Sequence, residues 1–402
     1  MKRFYVIPSL VLLTAALISI FFFWGKRGDA AATSSQRAML AHAPGSPFAV
    51  SGDASNVVIA DMNKDGNQDL IVAGGKSRRI SVLMGQGGGR FAAPLADPVI
   101  TAESPGEMET GDLNGDGKLD LAFVTHDSYG VTILLGDGKG RLRIAPNSPI
   151  VMKDGHHPHT HGLMVGDLNG DSKLDLATVN NADNDISVAF GDGRGNFTRA
   201  PAAFAVGPSP YPAALGDVNS DGHRDIVATS SATGPQRAQQ LPFSRALTLL
   251  LNDGHGSFRA SELPLRTGQP WYAAIGDVNG DHKADLVATH HEQRELTVLL
   301  GDGKGGFNEA SGSPFNFGHS VFSIALADMN RDGQPDVIGV SGDGVRVMLG
   351  DGRGGFKPAP DSPFLTGGGT WSFALGDVNG DGKTDVVTTG SESGKVSVLL
   401  GQ

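Results

Sequence analysis

The residues best suited to chemistry in this chain are aspartates and asparagines that recur in a nine-residue pattern, Asp-x-Asn-x-Asp-x-x-x-Asp, which occurs seven times. Three carboxylates within one turn repel each other unless a cation lies between them, and an all-oxygen ligand set is the kind that Ca²⁺ prefers. Asp and Asn also favour metal-free turns, but seven regularly spaced copies are not expected by chance. The sequence therefore predicts about one Ca²⁺ per copy, up to seven in all. The predicted ligands are Asp61, Asn63, Asp65, Asp69, Asp112, Asn114, Asp116, Asp120, Asp167, Asn169, Asp171, Asp175, Asp217, Asn219, Asp221, Asp225, Asp277, Asn279, Asp281, Asp285, Asp328, Asn330, Asp332, Asp336, Asp377, Asn379, Asp381 and Asp385.

The sixth position of the pattern is glycine in five copies, where the chain must bend sharply. The exceptions are Ser172 in the third copy and His282 in the fifth. A side chain is costly wherever the backbone needs a conformation that glycine tolerates best. We therefore expect strained or weaker cation sites in the third and fifth repeats.

The spacing of the acidic pattern indicates an internal repeat, because the copies begin 49 to 60 residues apart. Each unit contains an apolar segment before the first Asp, a β-branched run such as 286–289, an alternating run such as 296–300 and a Gly-rich turn such as 301–307. Short runs of this kind, separated by Gly and Asp, are typical of strands in hairpins. Four strands in each of seven units predict an all-β fold, a seven-bladed β-propeller of four-stranded antiparallel blades.

The two ends of the repeat region predict how the ring closes. The sequence stops at Gln402 after the third strand of the seventh unit, and the missing fourth strand would carry a Ser-Pro-Phe signature. That signature stands at the other end, at 46–48. We expect the N-terminal strand to complete the last blade, which removes the open edges that a row of blades would expose.

The first 25 residues form a separate segment. Lys2 and Arg3 precede an apolar run from Phe4 to Trp24, a length that suits a membrane-spanning helix. This pattern predicts a signal anchor or a signal peptide over 1–25, a linker over 26–45 and the propeller over 46–402. The bulk of the chain is then expected on the periplasmic or cell-surface side of the envelope, anchored in the membrane by the N-terminal helix, or secreted if that segment is cleaved.

Composition excludes several classes of function. The formal net charge is −11, and the seven loops supply 21 of the 43 acidic residues. The acidity therefore belongs mainly to the predicted cation loops, and no basic stripe suggests a nucleic-acid partner. The chain contains no cysteine, which excludes disulfides and thiol chemistry.

The repeat resembles the FG-GAP/VCBS-type proteins, whose best-known members are the propellers of integrin α-subunits. The likeness covers about 46–402 and is carried by the acidic pattern together with segments such as Leu-Gly-Asp-Gly-Lys-Gly-Gly-Phe at 300–307. The Phe-Gly-Gly-Ala-Pro sequence of the integrin motif is poorly preserved, so the bacterial variant fits better. The resemblance implies that the metal loops lie on one face of the propeller, where they stabilise it, and that ligands use the opposite face.

One position on that implied ligand face carries a ring in five consecutive repeats. It lies six residues before the first Asp of each pattern. Blade-to-blade packing and a platform for sugar rings both remain open at this position. The five ring-bearing residues are His161, Tyr211, Trp271, Phe322 and Trp371.

A second candidate on the same face is a group of histidines and glutamates in the second and third repeats. Glu107 and Glu109 precede the second acidic loop, His126 follows the next predicted strand, and His159 and His161 precede the third loop. The four histidines within six residues, at 156, 157, 159 and 161, suit a transition metal or acid–base chemistry, although such a run is more often a solvated loop. His290 is a similar but weaker case.

The leading expectation from the sequence is a membrane-anchored, calcium-stabilised binding or adhesion module, with an extracellular protein or a glycan as its partner. The alternatives are a propeller-type polysaccharide lyase or hydrolase, and a purely structural envelope protein. No nucleophile elbow, phosphate loop or zinc-protease signature supports an enzyme. Convergence of Glu107, Glu109, His126, His159 and His161 in one pocket would separate these alternatives.

Overall fold

The computed structural model describes residues 38–156, 158–230, 246–290, 293–390 and 393–402, and these form an all-β structure. The predicted N-terminal helix lies outside the described residues. Within the described part, no helix has the length and apolar character needed to cross a membrane. The strands, in chain order, are β1 (Leu40–His42), β2 (Phe48–Ala49), β3 (Asn56–Ala60), β4 (Asp69–Gly74), β5 (Arg79–Leu83), β6 (Val99–Ile100), β7 (Pro105–Gly111), β8 (Asp120–Thr125), β9 (Gly130–Gly136), β10 (Leu142–Ile144), β11 (Ile150–Val151), β12 (Thr160–Gly166), β13 (Asp175–Asn180), β14 (Asp185–Gly191), β15 (Phe197–Arg199), β16 (Phe204–Ala205), β17 (Ala213–Gly216), β18 (Asp225–Ala228), β19 (Ala246–Asn252), β20 (Phe258–Pro264), β21 (Pro270–Gly276), β22 (Asp285–His290), β23 (Glu295–Gly301), β24 (Phe307–Glu309), β25 (Phe315–Asn316), β26 (Ser323–Ala327), β27 (Asp336–Ser341), β28 (Gly344–Gly350), β29 (Phe356–Pro358), β30 (Phe364–Leu365), β31 (Thr370–Gly376), β32 (Asp385–Gly390) and β33 (Lys395–Gly401).

These strands form seven antiparallel sheets, which confirms the predicted seven-bladed propeller. Within six of the blades the strands follow chain order, as in β3-β4-β5-β6. In five blades the outermost position is shared by two short strands that pair with different parts of the third strand, as β10 and β11 do with β9. Four-stranded antiparallel blades are therefore the basic unit, with a divided outer edge in most of them.

The last blade is completed by the start of the chain. Strand β1 pairs with the end of β33, with Leu40 opposite Gly401, and β2 pairs with its beginning, with Phe48 opposite Val396. The Ser-Pro-Phe signature thus predicts the second of these two pieces. The first piece, Leu40–His42, falls within the expected linker 26–45, because the closing edge of the propeller has two parts and the first of them lies before residue 46.

The core is divided among the seven interfaces between neighbouring blades. Each interface has its own cluster of buried apolar side chains, such as Leu70 and Leu83 of the first blade against Val387 and Val398 of the last. The second strand of a blade is covered on both faces, which explains its continuous apolar run, as in β4. Each fully buried Val or Leu contributes about 1.5–3 kcal/mol, so the interfaces hold the ring together.

The connections between strands separate two faces of the ring. Every acidic loop joins the first strand of a blade to the second, as Asp167 follows β12 directly, so the acidic loops share one face. The turns between second and third strands, and the segments that enter each first strand, lie on the other. The residue six positions before each first Asp is therefore at the opposite end of the inner strand from the acidic loop.

Candidate functional site

The acidic loops are tied into the blades by their last aspartate. Asp69 is fully buried, and its carboxylate accepts hydrogen bonds from the backbone N–H groups of Met62 and Gly85, at 2.9 Å and 2.7 Å. The equivalent aspartates of the other six loops are equally buried and accept the same pair of bonds. This residue therefore fastens the loop to the third strand, a structural role that the sequence pattern does not reveal.

The other side chains of each loop fold back onto its own backbone. In the first loop, Asp61 accepts a hydrogen bond from Gly66 N–H at 2.9 Å, and the Asn63 amide oxygen accepts one from Asp65 N–H at 2.9 Å. Both bonds recur in all seven loops. The loops are therefore seven copies of one conformation, with carboxylate and amide oxygens gathered in one turn.

Electrostatics within a loop favours a cation. The pKa of Asp120 is raised to about 6, first by burial and then by the charges on Asp116 and Asp112, although its two backbone hydrogen bonds lower it. The pKa values of Asp175, Asp225, Asp336 and Asp385 are raised to about 6 for the same reasons. A donor set of three carboxylates and one amide oxygen, with no nitrogen or sulfur, fits a hard cation such as Ca²⁺.

Two positions of each loop have left-handed backbone, the fourth and the sixth. The sixth includes the predicted exceptions Ser172 and His282, both at φ 65°. The fourth was not predicted, and it carries Lys64, Ser220 and Arg331 at φ 61–62° in three loops. Glycine occupies the sixth position wherever a larger residue takes the fourth, and the fourth wherever Ser172 or His282 takes the sixth. Only the second and seventh loops have glycine at both, so backbone strain extends beyond the third and fifth repeats.

At the opposite end of the inner strands, the predicted ring-bearing side chains form an arc. The His161 and Tyr211 ring centroids are 4.2 Å apart, those of Tyr211 and Trp271 are 5.1 Å apart, and Phe322 stacks on Trp371 at 4.5 Å with planes 26° apart. His161 is buried, whereas Trp371 is 47% exposed. Packing therefore accounts for one end of the arc, while the other end presents an indole face to solvent.

The arc borders a cavity of about 740 Å³ on the propeller axis. Residues from the inner strand of every blade line it, and Tyr211, Tyr272 and Trp371 are among them. The lining also includes Asp277 and Asp328, the first aspartates of two acidic loops. The cavity is thus a channel that runs from the ring arc toward the acidic face. Tyr272 adds a ring that the sequence pattern missed, because it lies one position beyond the repeated site.

Glu107 and Glu109 place two carboxyl groups in the wall of this channel. Burial raises the pKa of Glu109 to about 7. Burial also raises the pKa of Glu107, while a hydrogen bond from Gly162 N–H and the charge of His126 lower it. Glu107 is therefore next to the third blade, whereas Glu109 is the carboxyl of the channel that titrates near neutrality.

Three of the predicted histidines converge beside Glu107. The Nε2 atoms of His159 and His161 are 3.1 Å apart, and the His126 ring centroid is 3.9 Å from that of His159 and 4.8 Å from that of His161. Burial, followed by the charges of His159 and His126, lowers the pKa of His161 to about 3. His290 is not part of this group, since it is buried in the fifth blade with Nε2 2.7 Å from Thr297 Oγ1.

The comparisons agree with this fold and repeat. The FG-GAP-like repeat matches residues 61–123, 112–178, 167–228, 277–339 and 328–388, and each stretch contains two consecutive acidic loops. These stretches cover well over half of the sequence, so the chain belongs to the FG-GAP-like repeat family. This fold is compatible with a binding module. No curated protein sequence is significantly similar to the chain.

Solved structures with similar folds include proteins of different function. A lectin from Agrocybe aegerita that recognises non-reducing terminal N-acetylglucosamine is 19% identical, with a TM-score of 0.53 over 76% of this chain and 79% of that one. A chain in the complex of BBS1N with ARL6DN is 11% identical, with a TM-score of 0.60 over 91% and 98%. Virginiamycin B lyase from Staphylococcus aureus is 12% identical, with a TM-score of 0.50 over 88% and 97%. At these identities the likeness shows the fold alone.

Proposed function

We propose that this protein is an exported, calcium-stabilised propeller that binds a glycan at the channel mouth opposite the acidic loops. The observation that carries the proposal is the exposed indole of Trp371, held in position by its stack on Phe322. An aromatic face fixed at the rim of a polar channel suits the apolar face of a sugar ring. Ligand sites are commonly concave and lined by aromatic side chains with a few polar groups.

The channel supplies the polar groups that such a ligand needs. Glu107, Tyr211 and Tyr272 line the cavity and offer hydrogen-bonding groups for sugar hydroxyls. A lectin with the same fold binds terminal N-acetylglucosamine, which supports the class of ligand without assigning it. Calcium in the seven loops would stabilise the blades that carry this surface. The N-terminal segment would anchor the module in the envelope membrane.

A glycan array tests this proposal directly. The full chain, loaded with calcium, is expected to bind a subset of glycans, and Trp371→Ala should weaken that binding about 10-fold or more, as loss of a central aromatic contact usually does. Leu365→Ala is the matched control, because Leu365 is 63% exposed on the outer edge of the sixth blade. The proposal fails if the folded chain binds no glycan, or if Trp371→Ala binds as the parent does.

A second candidate is cleavage of a polysaccharide, favoured by the convergence of Glu107 with His126, His159 and His161. A carboxyl group beside imidazoles is a common arrangement for general acid–base chemistry. Release of reducing ends or unsaturated products from polysaccharides by the parent, but not by Glu107→Gln, would support it. An absence of products with glycans that the protein binds would leave the binding module as the sole function.

A further inference from the structure

The histidine group is a feature that neither the calcium loops nor the ring arc explains. His126 follows β8 of the second blade, and His159 and His161 precede or begin β12 of the third. One nitrogen ligand atom from each ring lies within 4.8 Å of those from the other two. Three imidazoles from two blades therefore surround one point at the edge of the channel mouth.

The distances within this group suit ligands of a single metal ion. Zinc–nitrogen bonds of about 2.0–2.1 Å at tetrahedral angles place two ligand nitrogens about 3.3–3.4 Å apart. The Nε2 atoms of His159 and His161 are already 3.1 Å apart. His126 has a side chain that is 49% exposed, so its ring can move the remaining distance without disturbing the core.

A neighbouring carboxylate also suits His126 to the role of a metal ligand. Its Nδ1 is 3.1 Å from Asp127 Oδ1, which leaves Nε2 free for an ion. A carboxylate that accepts a hydrogen bond from a ligand imidazole fixes its tautomer and raises its basicity, and most histidine metal sites contain such a partner. Asp127 supplies that partner here, from the next position in the chain.

The backbone holds the two histidine-bearing segments in register. The His126 carbonyl accepts a hydrogen bond from Thr160 N–H at 3.1 Å, and the His159 carbonyl accepts one from Asn181 N–H at 2.8 Å. Thr160 Oγ1 also donates to the Ser128 carbonyl at 2.8 Å. The two segments are therefore joined directly, and the three rings start from a fixed framework.

We propose that His126, His159 and His161 form a transition-metal site, suited to Zn²⁺ and related ions, with a fourth coordination position open. Three protein ligands and one open position are typical of zinc sites that accept water or a substrate, whereas structural zinc sites use four protein ligands. Imidazole nitrogen is a poor ligand for Ca²⁺, so this site and the acidic loops select different ions. The proposal does not depend on the glycan proposed above.

Cobalt is the probe, because tetrahedral Co²⁺ with nitrogen ligands absorbs visible light much more strongly, and at longer wavelength, than oxygen-bound octahedral Co²⁺. The full chain is purified in detergent through a tag without histidine and kept in excess calcium, which occupies the carboxylate loops. We expect one equivalent of Co²⁺ to give a tetrahedral spectrum and one equivalent of Zn²⁺ to displace it. An octahedral spectrum, or no binding in excess calcium, would overturn the proposal.

Variants separate the ligands from their surroundings. His126→Ala and His159→Ala should abolish the tetrahedral spectrum while keeping the parental melting temperature in calcium. Asp127→Asn should keep the spectrum but weaken Zn²⁺ binding about 10- to 100-fold, as loss of an outer partner usually does. His255→Ala, which removes an exposed histidine of the fourth blade, is the control and should bind as the parent. If folded His126→Ala and His159→Ala bind Co²⁺ as the parent does, the metal is bound elsewhere and the proposed site is wrong.

Discussion

The hydroxyl of Ser46 accepts a hydrogen bond of 2.9 Å from the backbone N–H of Val398, 352 positions later in the chain. The same bond joins Ser148 to Ile133, Ser313 to Val298 and Ser362 to Val347 within single blades. The contact that closes the ring therefore copies a contact that other blades make locally. The segment that contains Ser46 and the strand that contains Val398 form an ordinary blade edge, although they are distant in the sequence.

Closure of the ring through β1 predicts a large loss of stability when Leu40 is truncated. This side chain is 4% exposed and packs between the last two blades, together with Val345 and Leu399. Leu40→Ala should lower the free energy of unfolding by about 2–4 kcal/mol, as loss of a buried leucine does, and urea unfolding of the full chain measures it. Leu365→Ala, at an exposed position of an outer strand, should change it by less than about 0.5 kcal/mol. Equal effects of the two substitutions would contradict closure through β1.

Calcium should stabilise the propeller through its loops. At about ten times the dissociation constant, each filled site adds about 1.4 kcal/mol, so a chelator should lower the melting temperature and added calcium should restore it. Asp112→Asn should reduce the stabilisation by calcium by about 1.4 kcal/mol, the contribution of one site. In chelator the same variant should be at least as stable as the parent, because a carboxylate that repels Asp120 is gone.

The control for this prediction is Asp97→Asn, which makes the same change of charge at a side chain that is 87% exposed. It should leave the response to calcium unchanged. A melting temperature that does not respond to chelator would remove the structural role of the metal.

Backbone strain at the sixth loop position predicts opposite changes in stability for substitutions in the fifth and seventh repeats. His282→Gly should stabilise the fifth loop by up to about 1 kcal/mol, since left-handed backbone costs other residues about 1–2 kcal/mol and glycine loses part of that gain to entropy. Gly382→Ser, at φ 77° with no atom near the added Cβ, should destabilise the seventh loop by a similar amount. Thermal unfolding in excess calcium compares the two, and shifts of the same sign would refute strain as the cause.

Glu109 predicts a dependence of stability on pH. Its pKa is raised from 4.5 to about 7 in the folded chain, so the folded state binds more protons than the unfolded state between these values. Stability is therefore lost as the pH rises through this window. Glu109→Gln should be close to the parent in stability near pH 5 and exceed it near pH 8 by about 2–3 kcal/mol. Glu262→Gln, at an exposed position, should show no such difference.

The repeat carried most of the predictable information about the fold. Seven acidic loops, their place between the first and second strands, and Ser46–Phe48 at the closing edge follow from local patterns that recur. Strand β1 was missed because Leu40–His42 is short and has no partner within reach along the sequence. The left-handed fourth position was missed because Lys64, Ser220 and Arg331 conceal a conformation that glycine marks elsewhere.

The sequence predicted the position of the candidate site residues better than their exposure and contacts. Equivalent positions of the repeat predicted that His161 and Trp371 lie on the same rim, and they do. Their exposure differs because His161 is covered by Tyr211 and the neighbouring histidines, whereas Trp371 is covered on one face by Phe322. The proximity of His126 to His159 could not be predicted from the sequence, because it depends on how the second and third blades pack against each other.

The pairing of β1 with β33 has a consequence for the order in which the protein assembles. The six other blades can each fold from contiguous sequence, but the seventh needs residues 40–49 together with strands β31 to β33, which are synthesised more than 300 residues later. Loop-closure entropy rises only slowly with length, so this separation costs little at equilibrium. Its effect is kinetic, because contacts between distant segments form slowly. Residues 40–49 must therefore remain without their partner strand until β33 has been made, and chaperone protection of this segment would matter during that interval.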